Sequence, residues 1–253
     1  MNRKEILQEL KKSVTFDRPY LYKNAITIYP VKVYDYYEFY ENIDILTIDK
    51  NNCGVIEFIQ MPYLEFITTM MTINESFYTK FINICSLVFK IDTNKSIGEQ
   101  LSFAKDERNR FFIKIHGYTL NSKEFEELKR FILYQNITNY DDTYLDPDLQ
   151  KVVDDYNRLK NSGTNPPSLS KQIEVVESET GISRKELYDY TLFNFKRLYE
   201  TVIDKIEYKI AKQASMSGMV KFEKPVEHFA YKKETNKLDG ALVDYSSVKN
   251  KIN

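Results

Sequence analysis

The feature that most restricts this chain is a long apolar stripe. Through residues 191–214, Leu192, Phe195, Tyr199, Val202, Ile206 and Ile210 recur at three- and four-residue spacing. That period places them on one face of an α-helix, whereas strand periodicity would scatter them over two faces. Ser217 and Gly218 close the run.

The same spacing recurs upstream. Ile6, Leu7 and Leu10 mark a first helix within residues 1–12. Asp35 can cap a second that carries Tyr36, Phe39, Tyr40, Ile43 and Leu46, ended by Asn51, Asn52 and Gly54. Pro62 suits a first helical position ahead of Leu64, Ile67 and Met71, and residues 76–90 place Phe77, Phe81, Ile84 and Val88 on one face. Asn121 with Glu124 forms a capping box, Leu120 can staple against Phe125, and that helix is predicted to reach Gln135. Asp146 and Pro147 open another helix, with Leu149, Val152, Val153, Tyr156 and Leu159 as its apolar face up to Gly163. Ser168 starts a shorter one (Leu169, Ile173, Val176) that Gly181 ends. Ser183 and Glu186 then form a second capping box, flanked by Ile182 and Leu187.

Strand signals are few. Residues 25–29 alternate until Pro30 stops them, residues 97–104 and 110–116 read as a β-hairpin around the charged stretch 105–109, and residues 219–222 read as a small strand. Only seven Gly and seven Pro are available for tight turns, which disfavours an all-β fold. The expected fold class is therefore mainly α with a small β-hairpin. Residues 136–145 lose periodicity and gain Asn, Asp and Thr, which places a boundary near Asp141. The expected organisation is an α+β domain over residues 1–140, a helical-bundle domain over residues 141–231, and a flexible polar tail over residues 232–253.

Composition narrows the function classes. Thirty-six Lys and Arg face thirty-seven Asp and Glu, so no whole-chain field attracts nucleic acid or an anionic membrane. The N-terminal MNRKEILQELKK lacks the apolar core of a secretory signal, and no apolar run is long enough to span a bilayer. Cys53 and Cys85 lie in apolar segments without metal-ligand spacing and read as reduced core thiols, which fits a cytoplasmic setting.

Signatures of catalysis are sparse. His116 and His228 are the only imidazoles, and neither neighbours a Ser, Cys or carboxylate in a nucleophilic arrangement. No Gly-rich phosphate loop occurs, and the pairs Asp141-Asp142 and Asp154-Asp155 lack the spacing of a calcium loop. The chain reads as a non-enzyme with no catalytic residue, no metal and no cofactor. Residues 168–199 have the outline of a helix-turn-helix whose second helix would present Arg184, Lys185 and Tyr188 to DNA. Glu186 and Asp189 offset those two cations, which counts against phosphate binding.

Aromatic content points elsewhere. Twenty Tyr and sixteen Phe exceed what a core of this size readily hides, and tyrosine offers large contact area at low entropic cost. The densest cluster is Tyr34, Tyr36, Tyr37, Phe39 and Tyr40. It reads either as a helix buried on two sides or as a surface kept for a partner.

Residues 181–222, GISRKELYDYTLFNFKRLYETVIDKIEYKIAKQASMSGMVKF, follow on an E-x-x-T-G-I-S-x-x-E turn that runs from Glu177 to Glu186, and hold an aromatic-rich helix through Tyr199 and a small-residue exit at Ala214-Ser215-Met216-Ser217-Gly218. With residues 26–50, ITIYPVKVYDYYEFYENIDILTIDK, they resemble tail-assembly proteins of phages and prophages of low-GC bacteria. The resemblance implies a tail assembly chaperone, which coats the apolar tape measure protein, recruits tail tube subunits and is absent from the finished particle. Tyr36, Tyr37, Tyr40, Phe195 and Tyr199 are the contact residues expected under it. The alternatives are a virion structural protein of the tail, baseplate or neck, and a helix-turn-helix regulator acting through Arg184, Lys185 and Tyr188.

Overall fold

The computed structural model describes residues 1–50, 54–142, 155, 166–218, 222 and 225–231. The fold is mainly α with two small antiparallel sheets. The chain divides into two compact units: Met1–Tyr140 with Ser183–Arg197, and Asp141–Ile182 with Leu198–Asn253. The expected helix from Asp146 to Gly163, the expected strand at 219–222, Cys53, Asp154 and the tail 232–253 fall wholly or largely outside the described residues.

In the first unit, α1 (Arg3–Thr15) starts at a capping box in which the Asn2 side chain accepts from the Glu5 amide while Glu5 reaches back to the Asn2 amide. It packs on α8 (Ser122–Asn136), whose own capping box is the predicted Asn121–Glu124 pair. Between them in sequence, β1 (Tyr20–Tyr22) pairs with β2 (Ile26–Ile28) in the register Tyr20↔Ile28 and Tyr22↔Ile26. The hairpin closes through Lys23 and Asn24, both with positive φ.

The predicted helix from Asp35 is interrupted. A 3-10 turn at Val33–Asp35 leads into α2 (Tyr36–Asn42), followed by α3 (Asp44–Thr47), and the Asp35 side chain makes no capping bond. Phe39, Ile45 and Leu46 are buried, and α2 packs on α6 (Glu75–Phe89). A short α4 (Ile56–Gln60) precedes α5 (Tyr63–Ile73), for which Pro62 supplies the first accepting carbonyl, to the Phe66 amide. The α5 helix contacts α6 and α8.

The predicted hairpin at 97–116 is a three-stranded sheet. Residues Ile97–Gln100 are helical (α7), and β3 (Leu101–Lys105), β4 (Phe111–Ile115) and β5 (Tyr118–Asn121) pair in that order. His116 and Gly117, with φ of 47° and 87°, form the two-residue turn into β5. The His116 Nε2 lies 2.8 Å from the Phe89 carbonyl, which ties this turn to the end of α6.

Two side chains pin the last turn of α8 to α1 and to the segment that follows β2. Asn136 accepts from the Val31 amide at 2.7 Å and donates to Ile132 O at 2.8 Å, and Gln135 donates to Ser13 Oγ at 2.9 Å. Asn136→Ala leaves the buried Val31 N–H without an acceptor and is expected to cost about 1–3 kcal/mol. Urea unfolding checks the magnitude, and faster hydrogen exchange at Val31 checks the cause.

A second tie is ionic. Glu127 accepts from the Tyr22 hydroxyl at 2.7 Å and pairs with the N-terminal ammonium at 3.1 Å, and Glu124 pairs with Lys23 at 2.7 Å. Burial opposes ionisation of Glu127, but these donors outweigh it and hold the carboxyl below the usual range; the Lys23 hydrogen bond leads the same shift at Glu124. A carboxyl depressed in the folded state stabilises above the unfolded value of about 4.3 and loses that contribution as pH falls through the folded value. Wild-type stability is therefore expected to fall on acidification from about pH 4.3 more steeply than that of Glu127→Gln. Urea midpoints at neutral and acidic pH provide the comparison.

The second unit contains α9 (Leu169–Thr180), capped by Ser168 and ended by Gly181 in the left-handed region, and most of α11 (Leu192–Met216). Lys209 on α11 pairs with Glu179 on α9 at 3.8 Å. The apolar stripe of α11 is buried at Leu192, Phe195 and Val202, but Ile210 is 61% exposed, so its far end is not core.

Candidate protein-binding surface

The stretch from Val31 to Tyr40 is held from behind by the segment that returns after α9. There, α10 (Arg184–Asp189) begins at the predicted Ser183–Glu186 capping box and packs against the turn at Val33–Asp35. Tyr190 O accepts from the Val33 amide at 2.9 Å, the Leu192 amide donates to Val31 O at 2.8 Å, and Lys32 bridges Thr191 as an isolated antiparallel pair. Lys32 Nζ pairs with Asp189 at 2.9 Å. Asn194 Nδ2 donates to Val14 O and Asp17, each at 2.7 Å, which fixes the start of α11 to the end of α1. These bonds explain why Ser183–Arg197 belongs to the first unit although a boundary near Asp141 precedes it in sequence.

On this support the aromatic cluster separates by burial. Phe39 is fully buried and anchors α2, whereas Tyr34 is 78% exposed, Tyr37 62% and Tyr40 39%. The half-buried Tyr36 braces two of the exposed rings. The Tyr36 ring centroid lies 5.3 Å from that of Tyr37, edge to face, and 4.6 Å from that of Tyr40, and Tyr40 meets Phe39 edge to face at 5.3 Å. Lys196 Nζ sits 5.5 Å from the Tyr36 centroid. Burial, aided by the neighbouring tyrosine, raises the pKa of Tyr36 and of Tyr40. Pre-ordered neutral aromatics of this kind lose little entropy when a partner covers them.

The contact residues expected from sequence are thus divided. Tyr36, Tyr37 and Tyr40 are brought together on one surface. Phe195 is fully buried, so it serves the core of the first unit and lies off the exposed surface. Its place on the α11 stripe, three residues after Leu192, is the signal for core rather than contact. Tyr199 is half-buried on the part of α11 that belongs to the second unit. Tyr34, the most exposed ring of the cluster, and the acids Glu38 and Glu41 complete the surface; their interleaving with tyrosine was the available signal.

The residues expected to face DNA under the regulator alternative sit on a helix of six residues. Lys185 and Tyr188 are exposed and Arg184 is half-buried, with Glu186 engaged by Ser183 and Asp189 by Lys32. His116 is occupied at the Phe89 carbonyl, and His228 meets Tyr208 and Tyr231 edge to face and Phe229 at a tilt in the second unit. Cys85 is a free, buried thiol whose pKa burial pushes up. Among the described residues no group of three His, Cys, Asp or Glu is placed to hold a metal, and no helix is long and apolar enough to cross a membrane.

No family model, curated protein or solved structure matches this chain.

Proposed function

We propose that this protein is a non-enzymatic assembly chaperone of the phage-tail type, which holds an aggregation-prone protein partner, such as a tape measure protein, until structural subunits displace it. The observation that carries this reading is the exposed tyrosines Tyr34, Tyr37 and Tyr40, the last two braced by the half-buried Tyr36, on hydrogen-bonded backbone from two distant parts of the chain. Exposed aromatic residues on a fixed support are the usual anchors of protein–protein contact. The resemblance of residues 26–50 and 181–222 to tail-assembly proteins falls on the same two stretches that build the surface.

Mass spectrometry during and after particle production tests the reading. A chaperone is expected in extracts of producing cells, bound to a long tail protein, and missing from purified particles. Fixed stoichiometry within the particles would make it a virion structural component instead.

A further inference from the structure

The charge around the tyrosines indicates what kind of segment they take. On α2, with Phe39 pointing inward, the helical period of 100° per residue puts Tyr37 and Glu41 at the centre of the outward face, Tyr36 and Tyr40 along one flank and Glu38 along the other. Glu38 and Glu41 are exposed, and among the described residues neither carboxylate has an ion-pair or hydrogen-bond partner. The nearby cations are otherwise engaged: Lys32 pairs with Asp189, Lys80 pairs with Asp44, and Lys196 lies over the Tyr36 ring. The surface therefore combines electron-rich ring faces with unneutralised carboxylates.

A cation gains from both at once. Lysine or arginine is attracted to an aromatic face and to a carboxylate, while its aliphatic stem covers the ring. The Lys196 contact with Tyr36 is an internal instance of the same pairing. An acidic segment, or a nucleic acid backbone, meets like charge at Glu38 and Glu41.

Resting on the protein-binding reading above, we infer that the Tyr34–Tyr37–Tyr40 surface takes a basic protein segment, one that presents Lys or Arg side chains among apolar residues. Lys or Arg heads pair with Glu38 and Glu41 while their stems and the neighbouring apolar residues lie across Tyr37 and Tyr40.

The test uses the full chain and two synthetic amphipathic peptides of equal length, one of Lys and Leu and one of Glu and Leu, with binding read by fluorescence anisotropy. The Lys/Leu peptide is expected to bind at least about tenfold more tightly, and the preference to shrink as salt is raised. Glu38→Gln with Glu41→Gln is expected to weaken it roughly tenfold, since each exposed pair contributes up to a few-fold, while Glu99→Gln at an exposed site elsewhere leaves it unchanged. Failure to bind the Lys/Leu peptide, or binding that the Glu38 and Glu41 changes do not alter, overturns the inference. Equal binding of both peptides that Tyr34→Ala with Tyr37→Ala abolishes would overturn the cationic preference and leave the protein-binding reading standing. Binding that neither the tyrosine nor the glutamate changes affect would remove the surface from both.

Discussion

Phe195→Ala is expected to lower the unfolding free energy by about 3–5 kcal/mol, the usual cost of removing a fully buried phenyl ring from a packed interior. Phe195 is wholly buried, and its amide donates to Thr191 O in the first turn of α11. That turn follows the Lys32–Thr191 bridge and carries Asn194, which bonds Val14 and Asp17. A cavity at Phe195 thus loosens the segment that supports Val31 and Val33, and partner binding should decline as a consequence of lost order rather than of a lost contact. Equilibrium urea unfolding, followed by circular dichroism, measures the effect. A change below about 1 kcal/mol would contradict the structural role given to the Phe195 ring.

Tyr34→Ala combined with Tyr37→Ala should do the reverse. Both rings are mostly exposed, so their removal is expected to alter stability by no more than about 0.5 kcal/mol per site. If they anchor the partner, affinity falls by about 2 kcal/mol or more, which is roughly thirtyfold or greater. Tyr40 is a poorer choice for this experiment because its ring packs on Phe39 and Tyr36, so its loss would mix folding with binding. Isothermal titration with the captured partner gives the affinity, and the urea midpoint gives the stability of the same preparation.

How much of this was readable beforehand depended on whether the signal was local. Caps at Asn121, Ser168 and Ser183 are set by side chains bonding to backbone three residues away, and each stands where the spacing placed it. Gly181 ends α9 in the left-handed region, as its position after an apolar period implied. Pairing between distant segments was not readable. The β1–β2 hairpin turns through Lys23 and Asn24 with positive φ, where Asn-Gly would have been the recognisable signal, and β5 was hidden because Tyr118–Asn121 merges into the cap of α8. At residues 97–100, apolar Ile97 followed by Gly98 resembled a strand start, but the residues form one helical turn before β3.

The candidate surface was half legible for the same reason. Tyr36, Tyr37 and Tyr40 are neighbours in sequence, so their grouping needed no tertiary information. Which rings remain exposed depended on α2 packing on α6 and on the return segment around Thr191, far from Lys32 in sequence, and no local pattern encodes that contact. Phe195, grouped with the contact residues by the resemblance, lies on the same stripe as the buried Leu192 and Val202, a periodic signal for core that the grouping overrode.

The most direct measurement replaces Tyr37 with the photo-crosslinking residue p-benzoyl-phenylalanine, with the same replacement at Phe16, another exposed ring of the first unit, as the reference site. On irradiation of producing cells, the Tyr37 position is expected to give one discrete adduct with a protein partner, and the Phe16 position to give none. Discrete adducts from Phe16 but not from Tyr37, or no adduct from Tyr37 while the protein is folded and abundant, would contradict the role given to the tyrosine surface.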